Sequence, residues 1–266
     1  MSAPAQQTGI DYSAVAENYD RSRRAEPAIA EALCNALDAM RARSVLEIGA
    51  GTGNYTAALA ARGFQIVAGD RSAPMIDRGR AKARARWLIF DALKLPLRDS
   101  SCDAAAAVNV LHHLGDLGAA LAELGRVVRT GAVLHAVVRE NLQALWYRHY
   151  FPEIDRILIP LHPPLGALIE ALLRAGFGPV TAAPVAYSGA GDLTFESGSS
   201  RPELLFDQGF RDATSGFRRL GAQAVERGLA ALREDLDSGR FAEIRARFES
   251  DHTAAGDCVI LRAPAG

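Results

Sequence analysis

The segment Val45-Leu46-Glu47-Ile48-Gly49-Ala50-Gly51-Thr52-Gly53 carries the densest chemical signal in the chain. An apolar run takes in an acid and ends in three alternating glycines. Such a segment can turn a strand sharply into a helix while a nucleoside lies across the turn. Glycine removes the side chains that would block this approach, and it tolerates positive φ. Dinucleotide folds use the same logic with a GxGxxG spacing. Here the spacing is GxGxG, and Glu47 stands two residues before the first glycine. A carboxylate at a strand end is costly unless a cation or backbone N–H groups meet it. The ammonium of a methionine moiety, met directly or through water, would satisfy it.

Two more carboxylates stand at the ends of apolar runs. Asp70 closes the run 64–69, 21 residues beyond Gly49. A carboxylate there can accept from both ribose hydroxyls. Asp91 follows Trp87-Leu88-Ile89-Phe90, with Ala92 behind it. Asp91 can accept from an adenine amino group while a backbone N–H beside it meets a ring nitrogen. Three such features at consecutive strand ends face one crevice, where open α/β sheets bind ligands.

The imidazoles come next. His112 and His113 follow a fourth apolar run, Cys102 to Val110. A neutral imidazole suits removal of a proton from a hydroxyl, because its pKa lies near the working pH. A structural hydrogen bond to backbone fits either histidine as well. The aromatic cluster Trp146, Tyr147, His149, Tyr150 and Phe151 suits the wall of an acceptor pocket, or an ordinary core or dimer contact. His135 reads as a core histidine inside a strand. His149, His162 and His252 lack metal-ligand spacing, and Cys34, Cys102 and Cys258 form no CxxC pair. No metal site is expected.

The elements that must position these groups alternate regularly. Strands are expected at 44–48, 64–69, 87–90, 102–110 and 132–138. Helices are expected at 27–40, 54–62, 73–84 and 116–128. This alternation argues a parallel sheet covered on both faces. Near-continuous apolar strands agree, since parallel strands are buried on both sides. Beyond Val138 the pattern changes. A helical insertion is expected at 139–162, a helix at 163–175, a strand at 178–187, two or three helices in 201–250 and a last strand at 257–262.

Bulk composition narrows the function classes. The chain has 266 residues, 49% of them apolar and 23% charged. One domain with insertions is the simplest reading, at about 100–200 residues per domain. The 30 basic and 31 acidic residues balance, so no basic excess points to nucleic acid. No signal peptide and no 18-residue apolar run is expected, hence no membrane span. Three scattered cysteines fit a reducing, cytoplasmic setting.

Together these segments resemble the class I methyltransferase family, in its small-molecule branch that includes the ubiquinone and menaquinone C-methyltransferases. The matching text is VLEIGAGTGNYTAALA, VAGDRSAPMI, DALKLPLRDSSCDAAAAVNVLHHL and ALAELGRVVRTGAVL. It covers residues 11–138 strongly; LIEALLRAGFGPV and DCVILRA extend it more weakly to the end. The resemblance implies an α/β, Rossmann-like, seven-stranded and mostly parallel sheet in the order 3-2-1-4-5-7-6. Helices would cover both faces, with lid helices over 11–42 and a helical cap from 139–165 and 188–250, all within one domain, 1–266.

It implies S-adenosylmethionine as cofactor. Glu47, Gly49, Ala50, Gly51 and Gly53 would line the methionine and ribose side, and Asp70 would hold the ribose. Arg71 and Met75 would lie near the adenine, and Asp91 and Ala92 would read its edge. Asn109 would lie under the sulfonium, and Tyr19 and Arg24 of the segment AENYDRSRR would close over it. One departure is Arg129-Thr130-Gly131-Ala132 where the family usually has Pro-Gly-Gly, which puts the loop shape in question.

The expected activity is in-line methyl transfer to a small, apolar acceptor at oxygen, nitrogen or carbon. His112 would act as base, with His113 as the second candidate, and Trp146, Tyr147 and Tyr150 would wall the pocket. No nucleic-acid or membrane partner is expected, and the protein would be a monomer or homodimer. The alternative is the same fold binding adenosylmethionine without transfer, as a cyclase, decarboxylase or partner-binding subunit. A nicotinamide oxidoreductase would require the other glycine spacing.

Overall fold

A computed structural model describes residues 20, 23–188 and 192–266. Seven strands form one sheet in the order β3-β2-β1-β4-β5-β7-β6, the expected order. They are β1 (Ser44–Ile48), β2 (Gln65–Asp70), β3 (Arg86–Ile89), β4 (Cys102–Ala107), β5 (Val128–Ala136), β6 (Thr181–Val185) and β7 (Cys258–Pro264). β1 to β5 are parallel; β7 runs antiparallel to both β5 and β6.

The alternation of side chains along each strand divides the core in two. Leu46, Ile48, Ala105, Ala107, Ala132 and Leu134 point to one face and pack under α4 (Leu117–Val127) and α8 (Leu165–Arg174). Val45, Ala104, Ala106 and Val133 point to the other, under α1 (Pro27–Ala39) and α2 (Asn54–Arg62). Ala104 to Ala107 are fully buried. Their small side chains let helices approach the central strand from both sides.

Residue chemistry sets the helix ends. Glu26 caps α1 through the Ala28 N–H, with Pro27 in the first turn. Ile29, Leu33 and Leu37 recur every four residues and bury one face of α1 on the sheet. This half of the expected lid therefore packs on the sheet. α3 (Ala73–Lys82) follows β2, with Met75, Ile76 and Gly79 buried.

β5 starts earlier than the expected 132, at Val128. Asp103 explains this. It accepts from Arg43 N–H and Ser44 N–H, both at 2.9 Å, and from Arg129 Nη2 at 2.6 Å. Thr130 Oγ1 donates to the Asp103 carbonyl at 2.9 Å. These bonds stitch β1, β4 and the start of β5 together where Pro-Gly-Gly was expected. They hold the Asp103 carboxyl well below the usual carboxylate range, the Ser44 N–H contributing most. β6 is shorter than expected. It is an exposed edge strand, and it carries Pro184 where an edge tolerates one.

A third apolar cluster builds the cap. Short helices α5 (Arg139–Gln143), α6 (Tyr147–Tyr150) and α7 (Glu153–Ile157) pack with α9 (Gln208–Ala213), α10 (Ser215–Leu220), α11 (Ala222–Ser238) and α12 (Phe241–Ala255). Phe151, Phe210, Phe217 and Leu232 are at its centre. Residues 153–174 are apolar enough in composition to span a membrane, but His162-Pro163-Pro164 breaks them into separate short helices.

Candidate active site

The C-terminal ends of β1, β2, β3 and β4 open into one cleft of about 1090 Å³, counted with its open mouth. Its floor starts with the turn after β1. Gly49 and Gly51 have φ of +63° and +54°, the left-handed region that glycine enters without strain. The two glycines serve different ends. A Cβ on Gly49 would lie 2.3 Å from Val110 Cγ2, so Gly49 admits the loop after β4. A Cβ on Gly51 would meet nothing within 4 Å, because that direction is the open cleft.

Asp70 ties the turns together. Its Oδ2 accepts from Gly51 N–H at 3.0 Å and its Oδ1 from Ser72 N–H at 2.9 Å. Two backbone donors thus fix a carboxylate on the cleft wall, where further lone pairs remain available. Asp91 is held by an Asx turn, its Oδ1 accepting from Leu93 N–H at 2.9 Å. Met75 is buried against the cleft, and Arg71 and Asp91 are exposed at its rim.

Glu47 lies beneath the glycine turn and is 3% exposed. Among the described residues it accepts from Thr56 Oγ1, at 2.6 Å. Burial raises its pKa to about 7, and the Asp70 charge adds to the rise.

Asn109 adopts φ +53° at the end of the β4 loop. Its N–H donates to His135 Nδ1 at 3.4 Å, and His135 is buried in β5. Burial lowers the His135 pKa to about 4, so the ring is neutral. It braces the loop from below, a role beyond that of a plain core histidine.

The sequence-predicted residues divide clearly. Gly49, Gly51, Asp70, Arg71, Met75, Asp91, Ala92, Asn109 and His113 line the one cleft. Ala50 and Gly53 sit in the turn behind it; Ala50 N–H donates to Gly69 O, and Gly53 faces Trp87 and Gly79. His112 does not line the cleft; its side chain is solvent-accessible, yet the protein encloses its ring. The protein around its ring still lowers its pKa, and the neighbouring His113 ring adds to this. His113 is half-buried, and burial followed by the Arg71 and Arg23 charges lowers its pKa to about 4. The two rings lie 3.9 Å apart.

Trp146, Tyr147 and Tyr150 are not cleft residues. Their rings are buried in the cap and contact one another edge-on. Arg24 is exposed, while its neighbour Arg23 reaches Asp192 at 3.5 Å. Tyr19 lies outside the described residues. Reading the sequence missed Ser72, Val110 and Arg23. Only Ser72 had a local signal, as the second residue after a turn-forming Asp.

Residues 46–136 match the methyltransferase domain family. The chain is 31% identical over 191 residues to a demethylmenaquinone methyltransferase of Roseiflexus sp. (strain RS-1), covering 69% of this chain and 74% of that protein. A crystal structure from Anabaena variabilis, described as a methyltransferase of an antibiotic biosynthesis pathway, superimposes with a TM-score of 0.70. It is 30% identical, and the match covers 90% of this chain and 98% of that one. The chain belongs to the S-adenosylmethionine-dependent methyltransferases. The (4+2)-cyclase SpnF shares the fold across 100% of this chain and 97% of its own, with a TM-score of 0.59 and 19% identity. That likeness concerns fold alone.

The residues of this methyltransferase fit the family's cofactor. The cradle above Gly51 is one that a Cβ would enter. The three acids differ in character: Glu47 is buried behind the cleft lining, Asp70 is fixed by two backbone donors on the cleft wall, and Asp91 is exposed at the rim.

Proposed function

We propose that the cleft binds S-adenosylmethionine and that the enzyme methylates a small-molecule acceptor by in-line transfer. The observation that carries this reading is Asp70, pinned by Gly51 and Ser72 N–H groups beside the open space over Gly51. Asp70 accepts the ribose hydroxyls. Glu47 and the Gly49–Gly51 turn receive the amino-acid end, with Ala50 and Gly53 shaping that turn. Asp91 and Ala92 read the adenine edge, flanked by Arg71 and Met75. Asn109 borders the place of transfer.

The cofactor, when bound, supplies a methyl group already activated on a sulfonium. The protein's task is alignment and exclusion of water. His113 faces the cleft and is neutral at pH 7, so it can take a proton from a hydroxyl acceptor. Its low pKa makes it a weak base, so an acceptor acidic enough to ionise readily suits the site best.

Calorimetric titration with S-adenosylmethionine and, separately, NAD tests the cofactor. Binding of the former alone supports the reading, and binding of NAD alone refutes it. Formation of S-adenosylhomocysteine with a panel of small acceptors tests transfer. Tight cofactor binding with no product from any acceptor would favour the non-transferring alternative.

A further inference from the structure

The cap contains donors that the cleft does not use. Arg201 follows the turn Glu196–Gly198, and its Nε and Nη2 are buried with no acceptor among the described residues. The same guanidinium edge is filled elsewhere in this protein. Arg126 offers Nε and Nη2 to the two oxygens of Glu123, both at 2.8 Å. Arg148 meets Asp155 in the same side-on way. The Tyr147 hydroxyl is also buried and unpartnered.

The Arg201 backbone and the Tyr147 hydroxyl both adjoin Gly198, and the Arg201 charge bears on that hydroxyl. Arg201 N–H donates to the Gly198 carbonyl at 3.1 Å, and a Cβ on Gly198 would lie 2.3 Å from the Tyr147 hydroxyl. Trp146 Nε1 donates to Ser199 O at 2.9 Å, which fixes this stretch against α6. The nearby acids are committed. Asp257 accepts from Ser199 Oγ at 2.6 Å, Tyr187 N–H at 2.8 Å and His252 Nε2 at 2.9 Å. Glu196 is buried, which pushes its carboxyl toward the neutral form. A buried guanidinium edge without an acceptor is costly, and a planar oxyanion relieves that cost bidentately.

We propose that Arg201, with Tyr147, anchors a carboxylate carried by the acceptor. This rests on the small-molecule reading above, and it replaces an apolar acceptor with one bearing an acid at one end. Tyr147 thereby returns to substrate binding through its hydroxyl rather than as an aromatic wall. Arg23, whose carbonyl accepts from Asn54 Nδ2 after the glycine turn at 3.0 Å, also pairs with Asp192 at 3.5 Å, which ties the stretch before Arg201 to the cleft end of the sheet.

The full-length protein is titrated with benzoate, its neutral isostere benzamide and inorganic phosphate. Each probe is used with and without S-adenosylhomocysteine. Benzoate should bind about tenfold or more tighter than benzamide, as expected for a bidentate charged pair. Arg201→Gln should abolish that preference, and Arg201→Lys should keep part of it. Equal affinity for benzamide, unchanged benzoate binding in Arg201→Gln, or no saturable benzoate binding overturns the proposal. Phosphate binding as tight as benzoate overturns the carboxylate assignment. Arg201→Met should melt at or above the wild-type temperature, since no protein partner is lost. A drop of several degrees would make Arg201 a brace of the cap and overturn the anchor. Failure of the nucleoside itself to bind counts against the cleft reading alone, because the probes are also titrated without it.

Discussion

Gly51→Ala and Gly49→Ala separate binding from folding within three residues. At Gly51 the new methyl group meets no atom within 4 Å, and the cost is the φ of +54°. That penalty is about 1–2 kcal/mol for an L residue. It lowers the melting temperature by about 2–8 °C in a chain of this size. The fold therefore survives. The methyl group projects into the cleft, so affinity for S-adenosylmethionine should fall at least about tenfold, or about 1.4 kcal/mol.

At Gly49 the same φ penalty is joined by a collision, with Val110 Cγ2 at 2.3 Å and Val110 Cβ at 2.6 Å. Overpacking adds about 1–3 kcal/mol, for a total loss of about 2–5 kcal/mol. Val110→Ala in the Gly49→Ala background should recover only the part of the collision due to the Val110 methyl groups, because the Cβ at 2.6 Å remains, and it should leave the φ part. Urea melts give the stabilities, and calorimetry gives the affinities. A Gly51→Ala protein that binds S-adenosylmethionine with wild-type affinity would refute the placement of the cofactor over this turn.

Asp70→Ala should weaken S-adenosylmethionine binding by about 1–3 kcal/mol, because the Gly51 and Ser72 N–H groups lose their acceptor and the ribose loses its own; unchanged affinity by calorimetry would count against the site map. Glu47 gives a pH signature. Its pKa of about 7 in the folded protein exceeds the usual 4.5, so its burial costs nothing below pH 4.5 and destabilises increasingly as pH rises to 7. The loss is about 3 kcal/mol at most. Glu47→Gln should flatten this slope in denaturant melts between pH 5 and 8, and cofactor affinity should rise with pH through about 7 in the wild type only. His113→Ala should cut turnover of a hydroxyl acceptor about 10²-fold, and His112→Ala far less. The opposite ranking in initial rates would return the proton-accepting role to His112.

Much of this enzyme was legible because its chemistry is local. The GxGxG turn demands residues without side chains within a few positions, so Gly49 and Gly51 announce their φ values. Strand-end acids are legible for a similar reason. A carboxylate after an apolar run has few places to go except the crevice at the carboxyl end of the sheet, as Asp70 and Asp91 show. Strand β5 was misplaced by four residues because its start depends on Asp103, 26 residues away in sequence from Arg129.

The sequence by itself determined the alternation of strands and helices and the identity of the turn, through spacing and residue type along a continuous stretch; the order of the strands followed from the family resemblance that those segments carry. Only tertiary structure decided which face each flanking group takes. His112 and His113 are adjacent and chemically identical, and the short helical turn Leu111–His113 directs only His113 to the cleft. Trp146, Tyr147 and Tyr150 read as a pocket wall, but the apolar cap residues of α9 to α12 arrive from 60 or more positions away and bury them. The approach of the Arg201 backbone and the Tyr147 hydroxyl to Gly198 likewise exists only after the cap closes on itself. Contacts of this range follow from how the whole core packs, and no local pattern of residues encodes them.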